Sequence, residues 1–189
     1  MIRVGILGDI GSGKTFVANS FGLPVFNADH EVGKIYKNNR AVYKKLKKKL
    51  PEYFNSFPID KKEVSSAILD KKTNLKKIVK IVHFEVRKKL NFFLRKNRNK
   101  KIVVLDIPLL LENKLNKKRD ILVFVKSRKK DIQKNLKKRK NYNQRLLSEF
   151  KKIQFPLNLK ERKSQYVIKN NFTKKSVRKD IKNILMELK

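Results

Sequence analysis

The sequence predicts an α/β fold built around a parallel sheet. Short, unbroken apolar runs recur along the chain, helical periods separate them, and a glycine-rich turn directly follows the first run. Unbroken runs such as residues 102–105 (Ile-Val-Val-Leu) and 121–125 (Ile-Leu-Val-Phe-Val) mark strands covered on both faces. Strands that alternate with helices pair in parallel, because each crossover lays a helix against the sheet.

Residues 3–7 read as the first strand, closed by Gly8, and a helix over 14–21 turns Phe16, Val17 and Phe21 inward. Pro24 stops that helix ahead of a second strand at Val25-Phe26. Asn27-Ala28-Asp29 then leads into a helix reaching Tyr36. From 39 to 99 the pattern is helix after helix with no strand. Val42, Leu46 and Leu50 space the first of these, which Pro51 ends, and Asp60 is placed to cap the next, with Val64, Ile68 and Leu69 inward. Leu75, Ile78, Val79, Val82, Val86, Leu90, Phe93 and Leu94 then hold a helical period for about five turns. Strand signals return at 102–105 and 121–125, and Ser127 is placed to cap a helix running through Leu136. Residues 139–150 are basic and polar and read as a mobile segment. Tyr166-Val167-Ile168 is a last short strand, and Thr173 caps a final helix with Val177, Ile181, Ile184, Leu185 and Leu188 on one face. The whole is expected to be a single domain, 1–189, with a core of 1–37 and 100–189 and a helical insertion over 38–99.

Composition narrows the function. With 189 residues, 40% of them hydrophobic and 12 of them Phe, the chain can bury a core. The absence of cysteine excludes disulfides, Cys-ligated zinc and thiolate nucleophiles, and two histidines argue against a His-rich metal site. No apolar run approaches the ~18 residues of a membrane span, so a cytoplasmic protein with no membrane association is expected. The 51 Lys+Arg against 16 Asp+Glu leave a net charge of +35. Because lysine and asparagine are spread over nearly every expected exposed face, biased codon usage accounts for most of that charge. What remains for function is that any substrate should be anionic.

The segment Gly8-Asp9-Ile10-Gly11-Ser12-Gly13-Lys14-Thr15 matches G-x-x-x-x-G-K-[ST], with a strand before it and a helix after it, as the motif requires. Gly11 and Gly13 let the backbone curl, so that successive N–H groups, that of Ser12 among them, point at phosphate oxygens. Lys14 reaches the β- and γ-phosphates, the Thr15 hydroxyl can ligate Mg²⁺, and the Phe16 amide is placed to meet an α-phosphate. Gly8 completes this nucleotide-binding set. The N-K-x-D element by which GTPases read guanine is absent.

Further stretches carry a likeness. These are Asn27-Ala28-Asp29, Ile59-Asp60-Lys61-Lys62 with spaced apolar residues ending in His83, Leu105-Asp106-Ile107-Pro108-Leu109-Leu110-Leu111-Glu112, Gln154-Phe155-Pro156-Leu157 and Tyr166-Val167-Ile168-Lys169-Asn170. Together with the phosphate loop they resemble the dephospho-coenzyme A kinase family over nearly the whole chain. The resemblance implies a P-loop kinase fold with a helical acceptor-binding insertion and a lid at about 139–152. It also implies transfer of the γ-phosphoryl group of ATP, with Mg²⁺, to the 3′-hydroxyl of dephospho-coenzyme A, the last step of coenzyme A synthesis. A monomer or weak homo-oligomer with no specific nucleic-acid partner is expected. Asp29 becomes the candidate base or acceptor-orienting carboxylate, a position that also reads as a helix cap. Asp106 becomes a candidate Mg²⁺ carboxylate, or else an edge acid capping the next turn, with Glu112 competing for the role or contacting the acceptor. Arg139 reads as a phosphate clamp or a solvated charge. Lys61 and Arg87 are candidate contacts to the acceptor's phosphates, and Asn170 either approaches the adenine of ATP or serves a turn. His83 reads as a packed structural residue. The chain departs from the family pattern at Asp9, usually glycine; at Phe84, usually proline; at Lys61, usually arginine; and at Asn135 and Phe150, where lid arginines are usual. Another small-molecule kinase of this fold and a basic nucleic-acid-binding protein are the alternatives.

Overall fold

A computed structural model of the chain describes residues 1–139 and 142–188; Lys140 and Asn141, within the expected lid, lie outside the described residues. The chain forms two compact units, one of Met1–Asn27, Lys96–Tyr142 and Gln154–Lys189, the other of Ala28–Arg95 and Asn143–Ile153. The helical unit thus begins just after Asn27 and includes part of the expected lid.

In the first unit, β1 (Ile2–Gly8), β2 (Val25–Asn27), β3 (Ile102–Asp106), β4 (Ile121–Lys126) and β5 (Tyr166–Lys169) form one sheet in the order β2-β3-β1-β4-β5. All pairs are parallel, so each apolar run expected from the sequence is a strand and the α/β class holds. The strand order reverses at β1, which lies between β3 and β4, and ligands of such sheets bind outside the carboxyl ends of the strands at that reversal. The loop at 8–15 leaves the sheet there. Alternate β1 residues Val4 and Ile6 join Val104, Val123, Val125 and Ile168 in a core against α1 (Lys14–Ser20) and α9 (Lys174–Glu187), which contribute Val17, Ala18, Val177, Ile181 and Ile184. Each fully buried Val or Ile contributes roughly 1.5–3 kcal/mol relative to exposure, and together these fix the strand register beneath the loop. At the other end of β1, Arg3 pairs with Asp120 at 2.9 Å, both buried, and donates to the Leu115 carbonyl at 2.8 Å.

The second unit comprises α2 (Ala28–Asn38), α3 (Arg40–Lys49), α4 (Lys61–Asp70), α5 (Lys72–Lys96, ending one residue past the unit) and α7 (Gln144–Lys152). Asn39 caps α3 by accepting from Val42 N at 3.0 Å, and Asp60 caps α4 from Lys62 N at 2.8 Å, as its position in the sequence suggested. The Glu63 carboxylate accepts the Asn55 and Ser56 amides at 3.0 and 3.1 Å, tying the loop before α4 onto that helix. In α5 the apolar stripe of Leu75, Ile78, Val82, Val86 and Leu90 is buried.

The remaining elements, α6 (Lys129–Lys137) and α8 (Leu157–Arg162), belong to the first unit. Three expectations are corrected. Ser127 does not cap α6: Arg128 holds that position, and the Ser127 hydroxyl instead donates to the Ser12 carbonyl at 2.9 Å. Leu69 is 39% exposed, because it falls off the stripe formed by Val64, Ala67 and Ile68. Part of the segment read as mobile is helical, since Asn143 caps α7 by accepting from Leu146 N at 3.0 Å and the apolar Leu146, Leu147 and Phe150 recur at helical spacing.

Candidate active site

The loop after β1 owes its shape to its glycines. Gly11 and Gly13 adopt φ of 84° and 86°, a left-handed backbone that residues with a Cβ rarely adopt. A Cβ on Gly13 would also fall 2.3 Å from Asn170 Nδ2. The Ser12 carbonyl is turned away from the ligand side by two donors, Asn170 Nδ2 at 2.9 Å and Ser127 Oγ at 2.9 Å. Ser12 N, expected to point at a phosphate, instead donates to the Asp9 carbonyl at 3.1 Å, so the amides suited to an anion are those beyond it at the start of α1. Lys14 Nζ lies on the Gly8 and Asp9 carbonyls at 3.2 and 2.8 Å, within the loop that it would serve. The Asp9 carboxylate accepts its neighbour's amide, Ile10 N, at 2.7 Å.

Below the loop, Thr15 Oγ1 donates to Asp106 Oδ2 at 2.6 Å, and Asn27 Nδ2 donates to the same oxygen at 2.7 Å. Asp106 is 3% exposed at the end of β3, opposite Asn27 at the end of β2. A hydroxyl and a carboxylate sharing one proton are hard oxygen donors of the kind Mg²⁺ takes alongside nucleotide phosphates and water. No cluster of three or more His, Asp or Glu capable of enclosing a metal exists among the described residues. The Thr15 hydroxyl and the Asp106 carboxylate fit such a cation by their chemistry. On the far side of the loop, Leu136 and Ile132 of α6 lie against Gly11, where an added Cβ would meet them at 2.8 and 3.2 Å. Arg139 follows Leu136 by three residues and is exposed.

Glu112 and Asn170 are engaged internally. Glu112 Oε1 pairs with the buried Lys160 ammonium at 2.7 Å and accepts the Phe155 amide at 2.9 Å. Asn170 is 3% exposed; besides donating to Ser12 it accepts Phe172 N at 2.8 Å.

Within the helical unit, Asp29 and Lys61 line one pocket of about 180 Å³, whose other walls include Tyr36, Ile68, Leu146 and Phe150. Asp29 lies in the first turn of α2 and Lys61 opens α4. The pocket therefore joins three separated sequence stretches, two carrying expected acceptor-site residues and the third lying in the expected lid. Burial pushes the Tyr36 phenol up to about 12, so it remains a neutral donor at physiological pH. Arg87, also marked, is exposed on α5, outside the pocket lining, four residues from His83. Burial, and after it the Arg87 charge, hold the His83 imidazole below its ordinary value.

Comparison with known proteins decides the assignment. The family model for dephospho-CoA kinase matches residues 2–176. The chain belongs to the dephospho-CoA kinase family. The dephospho-CoA kinase of Wolbachia from Brugia malayi is 31% identical over 190 residues, covering 98% of this chain and 97% of that protein. That of Wolbachia pipientis wMel is likewise 31% identical, with the same coverage. Among solved structures, TT1252 from Thermus thermophilus superposes with a TM-score of 0.79 at 24% identity, covering 100% of this chain and 98% of that one. The dephospho-CoA kinase from Campylobacter jejuni gives 0.60 at 20% identity, covering 98% and 96%. These two matches support the P-loop kinase fold. No helix among the described residues of this kinase is long and apolar enough to cross a membrane.

The departures from the family pattern now have places. Phe84 is 53% exposed, with the Lys45 and Lys88 ammonium groups 5.5 and 4.5 Å from its ring centre. Asn135 Nδ2 donates to its own helix at the Asp131 carbonyl, 2.8 Å away, and Phe150 lines the Asp29 pocket. Sequence reasoning missed Ser127, Lys160, Tyr36 and the amide role of Asn27. Ser127 carried a signal, a hydroxyl one residue past a buried strand, but it was spent on a cap; Lys160 carried none, being one lysine among many.

Proposed function

We propose that this kinase transfers the γ-phosphoryl group of ATP to the 3′-hydroxyl of dephospho-coenzyme A, with Asp29 accepting the hydroxyl proton. The observation that carries the acceptor half of the reading is the shared pocket of Asp29 and Lys61, in a chain matched to the family over residues 2–176. The loop amides of Gly11 and of residues 13–16 bind the phosphates of ATP, Ser12 N being already bonded to the Asp9 carbonyl at 3.1 Å, and the Lys14 ammonium exchanges its two carbonyl partners for β- and γ-oxygens. Thr15 and Asp106 would hold Mg²⁺, which supplies charge neutralisation between the phosphates when bound. Asn27 orients the Asp106 carboxylate. As the acceptor oxygen bonds to the γ-phosphorus, the bond to the β-phosphate oxygen breaks, the proton passes to Asp29, and ADP leaves. Arg139 neutralises charge on the transferring group, and Lys61 meets the acceptor's diphosphate with Arg87 as a further cationic contact. Catalysis is positioning and charge stabilisation, as in phosphoryl transfer generally.

The internal engagement of Glu112 and Asn170 favours anchoring roles for both, Glu112 for the turn after β3 and Asn170 for the phosphate loop, over contacts to acceptor or adenine. The enzyme works in the cytoplasm as a monomer or weak homo-oligomer, without a specific nucleic-acid partner. Replacing Asp29 with Asn tests the assignment. kcat should fall by roughly 10²–10⁴ while ATP affinity, read by titration, is unchanged. Near-normal turnover would remove Asp29 from the chemistry.

A further inference from the structure

We propose that the exposed face of α5, with the adjoining lysines of α3, binds single-stranded nucleic acid without sequence preference, stacking bases on Phe84 and Phe92 and pairing phosphates with the cations around them. The inference stands apart from the kinase assignment, because none of the residues it uses lines the Asp29 pocket. Lys77, Lys80, Phe84, Lys88, Phe92 and Arg95 are all exposed and recur at intervals of three or four residues, which sets them in one stripe along the helix. At a rise of about 1.5 Å per residue the stripe is about 27 Å long, room for the four or more nucleotides of a single-strand site.

Biased codon usage does not account for this face. α3 carries six Lys and Arg and no acid, and α5 carries nine against one acid, Glu85. The two helices, 10 and 25 residues long, thus hold 15 of the chain's 51 cations and one of its 16 acids. Codon bias supplies lysine wherever the surface tolerates it, but it does not strip a face of acids. Phe84 and Phe92 are 53% and 60% exposed, on the side of α5 away from its buried stripe of Leu75, Ile78, Val82, Val86 and Leu90. The Lys45 and Lys88 ammonium groups flank the Phe84 ring, so a base stacked there has cations at hand for its neighbouring phosphates. Lys88 also pairs with Glu85 at 3.1 Å, an exposed contact that a phosphate can replace. The chemistry favours a single strand over two other polyanions. A duplex hides the faces of its bases and leaves the two rings nothing to stack on. An anionic membrane takes up a helix through a continuous apolar face, and that of α5 is already buried in the protein.

The experiment measures, by fluorescence anisotropy, binding of the full chain to a fluorescein-labelled, unstructured RNA of about 20 nucleotides, enough for one site. It is run at about 0.15 M salt, where long-range attraction to the +35 surface is screened. A duplex of the same sequence, and vesicles of phosphatidylcholine and phosphatidylglycerol, serve as competitors. Phe84→Ala combined with Phe92→Ala should weaken the RNA about tenfold or more, the scale of one lost base–aromatic stack, and leave the slope of log affinity against log salt unchanged. Lys80→Gln combined with Lys88→Gln should instead make that slope shallower by about 0.7 for each lysine. Alanine and glutamine are good helix formers, so the circular dichroism of both variants should match the wild type. Absence of RNA binding at this salt overturns the proposal, and so does an alanine variant that binds RNA as tightly as the wild type. A duplex that competes as well as the single strand also overturns it, as do vesicles that displace the RNA from the wild type and fail to bind the alanine variant, which would make the face a membrane contact.

Discussion

The Ser12 carbonyl accepts hydrogen bonds from two side chains that lie more than a hundred residues further along the chain, Ser127 Oγ and Asn170 Nδ2. A phosphate loop works only if its carbonyls are kept from the anion, and here that orientation is set by residues at the ends of β4 and β5. Asn170→Asp should place a carboxylate oxygen against that carbonyl, so ATP affinity should drop about tenfold or more, the scale of 1–3 kcal/mol for a buried polar group left without its partner. Calorimetric titration with ATP checks this, and Ser127→Ala, which removes one donor of the two, should cost less. The motif G-x-x-x-x-G-K-[ST] was legible in the sequence because its residue types are dictated by local backbone geometry. Its two clamps were not, because serine and asparagine serve caps and turns equally well and only the strand order brings them to the loop.

Lys160 on α8 and Glu112 in the turn after β3 form the clearest case at the scale of elements. Both side chains are almost fully buried, at 1% and 7% exposure, and Lys160 also reaches Gln154 Oε1 at 3.3 Å. The pair fastens the turn after β3 to the segment that begins at Gln154. Lys160→Ala leaves a carboxylate buried without its cation and should destabilise the protein by about 3–5 kcal/mol, whereas the paired change Lys160→Met with Glu112→Leu should recover most of that. Urea denaturation of the single and double variants reads the difference. In α5, His83 sets a pH dependence. Its imidazole is held below the ordinary value of 6.5 by burial and by Arg87. The unfolded chain therefore binds more protons than the folded one from about that pH downward, and stability should fall as the pH falls through this window. His83→Asn should flatten the thermal midpoint between about pH 7 and pH 5. Among the elements, α5 and the five strands were legible from apolar period alone. By contrast, α7 was obscured, because its Leu146, Leu147 and Phe150 are interleaved with charge and its apolar side has meaning only against a partner helix.

For the molecule as a whole, the net charge of +35 dominates the surface. Its sign suits two polyanionic substrates, but self-repulsion opposes the compact state, most strongly where salt screens least. The thermal midpoint should therefore rise between about 0.01 M and 0.15 M sodium chloride, as the Debye length shortens from about 30 Å to about 8 Å; a midpoint indifferent to salt would show that the charges are already balanced locally. The division into a sheet unit and a helical unit was partly legible, since the strands stop at Asn27 and return at Ile102. That residues 143–153 belong to the helical unit was hidden, because it depends on tertiary packing far along the chain. The most direct test of the central claim is ADP release from ATP and Mg²⁺ with dephospho-coenzyme A, run beside AMP and adenosine, with the product's new phosphate located by ³¹P NMR. The account predicts turnover confined to dephospho-coenzyme A with the phosphate on the 3′-oxygen. Turnover on AMP or adenosine alone, or a phosphate at any other position, would contradict it.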